Sequence, residues 1–275
     1  MPQPWARWAI VVFWVMMTVW LFNRDVMPRL GFGDFDYRTV LTTRAVAEPT
    51  HWLVEMDGDH IGSVTNVISP KPDGSYGMKS RTSLSTSIFG DEQAETQLLI
   101  ESTFNVSSLG RLRSVEIDLE VEGTQLRVSI YGQVKGNEIV FRTTGLPTFS
   151  DEVSMPIDPE SLMFDPFGQV HSWPNLRIGK TWVTRTVNPM SALMGTGTLL
   201  GGSGPSIDVV TNEVVKVDDL HWGDHLIRCF LIEHRHGPMA AQSWARTSDG
   251  KVFQHKLAIA GGLTLRLDPV MHELE

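Results

Sequence analysis

The chain has 275 residues, 41% of them hydrophobic, enough for the core of one large domain or two small ones. Its net charge of −9, with no cluster of basic residues interleaved with aromatics, argues against a nucleic-acid binder, since that affinity rests on Lys and Arg neutralising phosphates. A single cysteine, Cys229, excludes an intrachain disulfide.

The first segment is an uncharged apolar run, Trp8 to Phe22, flanked by Arg7 and Arg24. With Trp5 and Ala6 it reaches about 27 Å as a helix, barely the thickness of a hydrocarbon core of about 30 Å. A cleaved signal peptide has the same layout, but the run ends in Trp20, Leu21 and Phe22 rather than small residues, and the nearest Ala-x-Ala, at Ala45 to Ala47, lies far downstream. The expectation is a retained single-pass anchor over residues 1–25, with Trp8, Val12, Trp14, Val15, Trp20 and Phe22 in the bilayer and the tryptophans near its interfaces. The β-domain is then expected on the extracytoplasmic, periplasmic side of a bacterial membrane, a weak preference because long domains cross regardless of flanking charge.

Residues 26–49, with Pro28, Gly31 and Gly33, read as a linker to a β-domain over 50–270, followed by a tail at 271–275. Trp52 to Met56, Asp57-Gly58 and His60 to Val67 form the pattern of a hairpin, because Asp-Gly accepts the positive φ of a tight turn. From Gln97 onward apolar and polar residues alternate, and Val115, Ile117, Leu119 and Val121 alternate without exception against Glu116, Asp118, Glu120 and Glu122. Gly123 and Gly136-Asn137 mark turns before further strands.

Between Gly145 and Lys180 five prolines interrupt the pattern. Asp158 as N-cap and Pro159 at the first helical position predict a short helix through Phe164, and Asn188-Pro189 a second over Met190 to Met194. Strands resume at Thr181–Val187, Ile207–Val217, Leu226–Glu233, Gln242–Thr247, Val252–Ala258 and Leu263–Leu267, so the domain divides into possible halves 50–144 and 181–267. The expected fold is mostly β: one transmembrane helix plus a large curved antiparallel sheet or half-barrel with one or two short helices.

The residues that could carry chemistry are few. His221, His225, His234 and His236 fall within sixteen positions, the low-prior candidates for a metal site. Their flanks Asp218, Asp219, Gly223 and Gly237 place them instead at turns and strand ends facing water, and no zinc-hydrolase Glu or Cys pair accompanies them. Cys229 sits in an almost continuous apolar run, Leu226 to Ile232, which suits a strand covered on both faces and an inert thiol. The glycines from Gly195 to Gly204 lack the Lys of a phosphate loop. Beside them, Met190, Leu193, Met194, Leu199 and Leu200 are candidates for an adaptable apolar contact with a partner or ligand. The acidic ladder Glu116 to Glu122 needs cross-strand Arg or Lys, with Arg111, Arg113 and Arg127 as candidates, or open water.

Trp52 with Asp57-Gly58 and Ile61-Gly62, Trp182 with Asn188-Pro189, and Trp244 with Asp249-Gly250-Lys251-Val252-Phe253 follow one another in an order that resembles bacterial envelope β-domains, namely lipoprotein-carrier-like half-barrels and the β-rich modules preceding transglutaminase-like cores. The resemblance covers Trp52 to Leu267 in outline and implies a curved sheet with an apolar concave face. It supplies no catalytic residue. The first functional expectation is a non-enzymatic, membrane-anchored accessory or structural subunit of a respiratory, photosynthetic or transport assembly, with the bilayer and other membrane proteins as partners and no cofactor. The alternatives are a binder or carrier of lipid or another apolar ligand, and a metal-dependent enzyme using the four histidines.

Overall fold

The computed structural model describes residues 16–17, 49–85, 96–145, 152–157, 162–163, 171–187, 207–236, 239–257 and 262–272. They form one sheet of fifteen strands: β1 (Thr50–Met56), β2 (Asp59–Pro70), β3 (Tyr76–Ser85), β4 (Gln97–Val106), β5 (Leu112–Val121), β6 (Arg127–Lys135), β7 (Glu138–Thr144), β8 (Val153–Pro156), β9 (Leu162–Met163), β10 (Thr181–Val187), β11 (Ile207–Trp222), β12 (His225–His236), β13 (Met239–Arg246), β14 (Val252–Leu257) and β15 (Leu263–Leu267). Neighbours run antiparallel except β9 beside β10, which are parallel.

Short turns set most of the connections. Asp57 and Gly58 both take positive φ, 54° and 92°, as a tight hairpin between right-twisted strands requires. The chain closes a circuit where β1 pairs with both β2 and β15, Trp52 opposite Val64 on one side and Leu267 on the other. That pairing joins the strands of the first stretch to those of the second in one sheet, ordered β8-β7-β6-β5-β4-β3-β2-β1-β15-β14-β13-β12-β11-β10-β9.

The edges of this sheet are consecutive in the chain. Laid flat, fifteen strands would separate β8 from β9 by about 67 Å at about 4.8 Å per neighbour. Pro156 and Leu162, however, are six residues apart, which a fully extended chain spans in about 22 Å at most. The sheet therefore curls until its edges approach one another.

One face of the curl is buried along almost its whole width. On it Val54, Val64, Ile232, Val214 and Leu265 pack with Trp52, and Val115, Ile117, Ile130, Ile139 and Phe141 form a second cluster on β5–β7. Burying such side chains stabilises by roughly 1.5–3 kcal/mol each. Gly132 belongs to the second cluster by necessity: a Cβ there would lie 2.6 Å from Val115 Cγ1 and 2.7 Å from Phe141 Cε1. The opposite face carries Glu116 and Glu120, with Glu101 bridged by Lys79 at 3.3 Å and Arg81 at 3.5 Å.

The β11–β12 ribbon departs from simple alternation. A bulge falls between Val214 and Lys216, while β12 continues unbroken, so Leu231 and Ile232 point to opposite faces and both are buried. The root of the ribbon buries Val214 and Ile232, and its tip buries Leu220, Trp222, Ile227 and Cys229 on the other face. Trp222 secures the tip, donating its Nε1–H to the Leu267 carbonyl at 2.6 Å and meeting Phe253 edge-on at 5.0 Å.

Two helical expectations fare differently. Leu162–Met163 pair in parallel with Thr186–Val187, so the helix predicted through Phe164 is overturned at those positions: sheet pairing outweighs an N-cap and a proline, each only a local preference. The helix predicted over Met190 to Met194 lies outside the described residues, as do the anchor residues Trp8, Val12, Trp14, Val15, Trp20 and Phe22. Among the described residues no helix is long and apolar enough to cross a membrane.

Candidate functional site: a polar seam across the buried face

Strand register separates most of the predicted histidine cluster. His225 pairs with Trp222 and His221 with Leu226 beside the Gly223 turn, where both are exposed. His234 pairs with Asn212, nine residues from His221 along β11, or about 30 Å at strand rise. The side chain of His236 lies outside the described residues, and among these no group of three or more His, Cys, Asp or Glu is placed to hold a metal ion. His234 is half-buried rather than open to water as its flanks suggest, and both of its ring nitrogens bond within the sheet.

Around His234 runs a line of hydrogen bonds that crosses five strands. Asn212 Nδ2 donates to Thr184 Oγ1 at 3.2 Å and to the Trp182 carbonyl at 3.3 Å, which turns its Oδ1 towards His234 Nδ1 at 2.6 Å. His234 Nε2 lies 2.6 Å from Ser243 Oγ, and the same oxygen lies 2.6 Å from His255 Nδ1. Ser243 is fully buried and His255 only 4% exposed. Burial drives the His234 pKa down to about 4 and that of His255 well below the ordinary value, so both imidazoles are neutral at pH 7.

Neutral rings fix the direction of each bond. Asn212 Oδ1 only accepts, so His234 Nδ1 carries the proton and its Nε2 is bare. Ser243 then donates to His234 Nε2 and accepts from His255 Nδ1–H, which leaves His255 Nε2 as an acceptor. Among the described residues that nitrogen is buried without a partner, as are Nε1 of Trp52, whose ring centroid stands 5.4 Å from that of His255, and Nε1 of Trp182.

A second row of inward polar residues lies on β1–β4. Thr50 Oγ1 meets the His171 ring at 3.1 Å, and register carries the line from Thr50 to Asn66, Ser80 and Ser102, one inward polar residue per strand. Asn66, Ser80 and Ser102 are each no more than 5% exposed.

In connectivity Asn212, His234 and Ser243 resemble the orienter, base and nucleophile of an acyl-transfer triad. Their environment opposes that chemistry. Ser243 has no accessible surface, its oxygen accepts a bond from His255, and an imidazole held near pKa 4 is a poor base. The arrangement links β10 to β14 by side-chain hydrogen bonds.

Cys229 is fully buried, and burial pushes its thiol up to about 12, as its apolar flanks implied. Along the acidic ladder, Arg127 pairs with Glu120 across β5–β6, and Asp118 accepts from Ser129 Oγ at 2.5 Å. Arg113 turns instead to Asp73 at 3.4 Å. Met190, Leu193, Met194, Leu199 and Leu200 lie outside the described residues. Sequence reading missed Asn212, Ser243 and His255. Their signal is polarity at inward positions of apolar strands, Ser243 between Ala241 and Ala245 being the clearest instance.

No family model matches the chain, and no curated protein matches it. A solved structure similar to it is the crystal structure of a beta-barrel-like protein of domain of unknown function DUF1849 from Brucella abortus, with a TM-score of 0.49 and 10% sequence identity, covering 82% of this chain and 96% of that one.

Proposed function

We propose that this chain is a non-catalytic, membrane-tethered β-domain of the bacterial cell envelope that binds an apolar ligand, lipid-like in character, against the buried face of its curled sheet. The observation that supports this reading is a contiguous apolar patch on that face that stays partly open. Register sets Met56 opposite Leu263, Leu84 opposite Leu98, Leu98 opposite Val121 and Ile100 opposite Leu119. Met56, Leu98, Ile100, Leu119 and Val121 each retain intermediate exposure, unlike the fully buried Val54 and Val64 beside them.

Extended apolar surface that stays accessible inside a concavity is the usual setting of a small-molecule site. The tether rests on Trp8 to Phe22, whose length and flanks suit a single-pass anchor. The test is purification of the full chain in mild detergent, followed by organic extraction and mass spectrometry of what remains bound. A lipid or other apolar molecule recovered in a fixed ratio to protein is expected. Fixed-stoichiometry protein partners with no bound apolar molecule would replace this reading with the accessory-subunit one.

A further inference from the structure

We infer that His255 Nε2 and Trp52 Nε1 form the polar end of this ligand site, and that the ligand presents to them a neutral hydroxyl. The inference rests on the ligand reading above and names the chemistry of the ligand's head.

The two atoms are complementary, and the rings that carry them are neighbours. Trp52 Nε1 carries a hydrogen and can only donate, whereas His255 Nε2 is the bare nitrogen of a ring whose proton is committed to Ser243. Among the described residues neither atom has a hydrogen-bond partner, both residues are buried, and their rings stand 5.4 Å apart with a 41° tilt. A buried donor or acceptor left unmet is costly, so one of each on neighbouring rings calls for a partner.

What fits follows from the hydrogen-bond inventory. A carboxylate accepts from Trp52 but has nothing to donate to His255; an ammonium donates to His255 but cannot accept from Trp52. An ether oxygen only accepts. A hydroxyl oxygen accepts one bond and donates another, and it brings no charge into a site where burial already keeps both histidines neutral. The direction of the line cannot reverse to suit another head, because Asn212 Nδ2 is anchored on the Trp182 carbonyl, an obligatory acceptor. Met56 and Leu257, partly buried on the same cluster, continue the face in apolar side chains that suit a hydrocarbon tail.

The experiment uses the full chain held in an amphipathic polymer, with three probes of equal chain length: 1-hexadecanol, hexadecyl methyl ether and hexadecane. Bound probe is quantified by extraction and gas chromatography across a concentration series. The alcohol is expected to bind about tenfold more tightly than the ether, the cost of leaving one buried acceptor unmet. In Trp52→Phe and His255→Phe the preference should fall to near unity with ether binding retained. Because the ratio is read first in the unaltered protein, a variant that fails to fold does not decide the matter. A shift of the His255 Nε2 nitrogen resonance with the alcohol but not the ether is the accompanying signature. Equal binding of all three probes would overturn this inference, leaving water as the partner of the two atoms, while preserving the apolar-ligand reading. Binding of none would overturn that reading itself.

Discussion

Acidification tests the polar seam directly, because His234 and His255 are held neutral by burial. Take the His234 pKa as about 4 in the fold and 6.5 in the unfolded chain. Above pH 6.5 both states are neutral there and the group contributes nothing to pH dependence. As pH falls below 6.5 the unfolded chain binds a proton that the folded one refuses, so stability declines until about pH 4 and then levels off. Between pH 7.5 and 5.0 the loss from His234 alone is about 2 kcal/mol, from the linkage relation at 1.36 kcal/mol per pKa unit. His255 adds a loss of the same sign. The assay is guanidinium unfolding of the full chain in mild non-ionic detergent, followed by tryptophan fluorescence at pH 7.5, 6.5, 5.5 and 5.0. His234→Gln keeps a donor and an acceptor at that position without a titrating group, so the decline it shows should be shallower by about 2 kcal/mol. Parallel stability curves for the variant and the unaltered protein would refute the claim that His234 is buried neutral.

Ser243→Ala should destabilise by about 2 kcal/mol, since it strands His234 Nε2 and His255 Nδ1 together, and the unaltered protein should take no label from a fluorophosphonate; stoichiometric labelling at Ser243 would restore an enzymatic reading. Gly132→Ala should cost about 1–3 kcal/mol by driving a methyl group into Val115 and Phe141, checked by denaturant midpoint. Cys229 should react with an aromatic disulfide reagent only after unfolding, because a thiol held up near 12 supplies almost no thiolate. Val15→Arg should release the protein from the membrane fraction, since a charge at mid-bilayer costs about 2.5–3.5 kcal/mol on insertion scales, whereas unchanged membrane retention would remove the anchor.

Strand positions in this chain are legible because period-two alternation is a direct consequence of a sheet with one buried face. Val115 to Val121 on β5 and Leu263 to Leu267 on β15 show it, and both emerge as strands, with Val115 and Ile117 in one buried cluster and Leu119 packed against it, and Leu263, Leu265 and Leu267 in the other. Topology was less legible. That β1 joins β15 depends on an encounter between residues more than 200 positions apart, which no local pattern encodes. The helix predicted after Asp158 failed for the same reason at smaller scale, when Leu162 and Met163 found a partner in β10.

The seam escaped because its members are ordinary where they stand. A lone Ser between two alanines on β13 and a lone His on β14 read as breaks in an apolar rhythm, and only register reveals that they meet Asn212 and His234 across neighbouring strands. The flanks of His234 read as a strand end facing water, with metal a low-prior alternative, whereas its spatial neighbours Asn212 and Ser243 supply hydrogen bonds. The general point is one of energy. An inward polar residue costs the fold unless something answers it, so five of them in one connected line are a commitment that an apolar row would not have needed. That line stops at His255 beside Trp52, whose Nε2 and Nε1 find no partner among the described residues, and on the ligand reading proposed above a bound hydroxyl would meet them there.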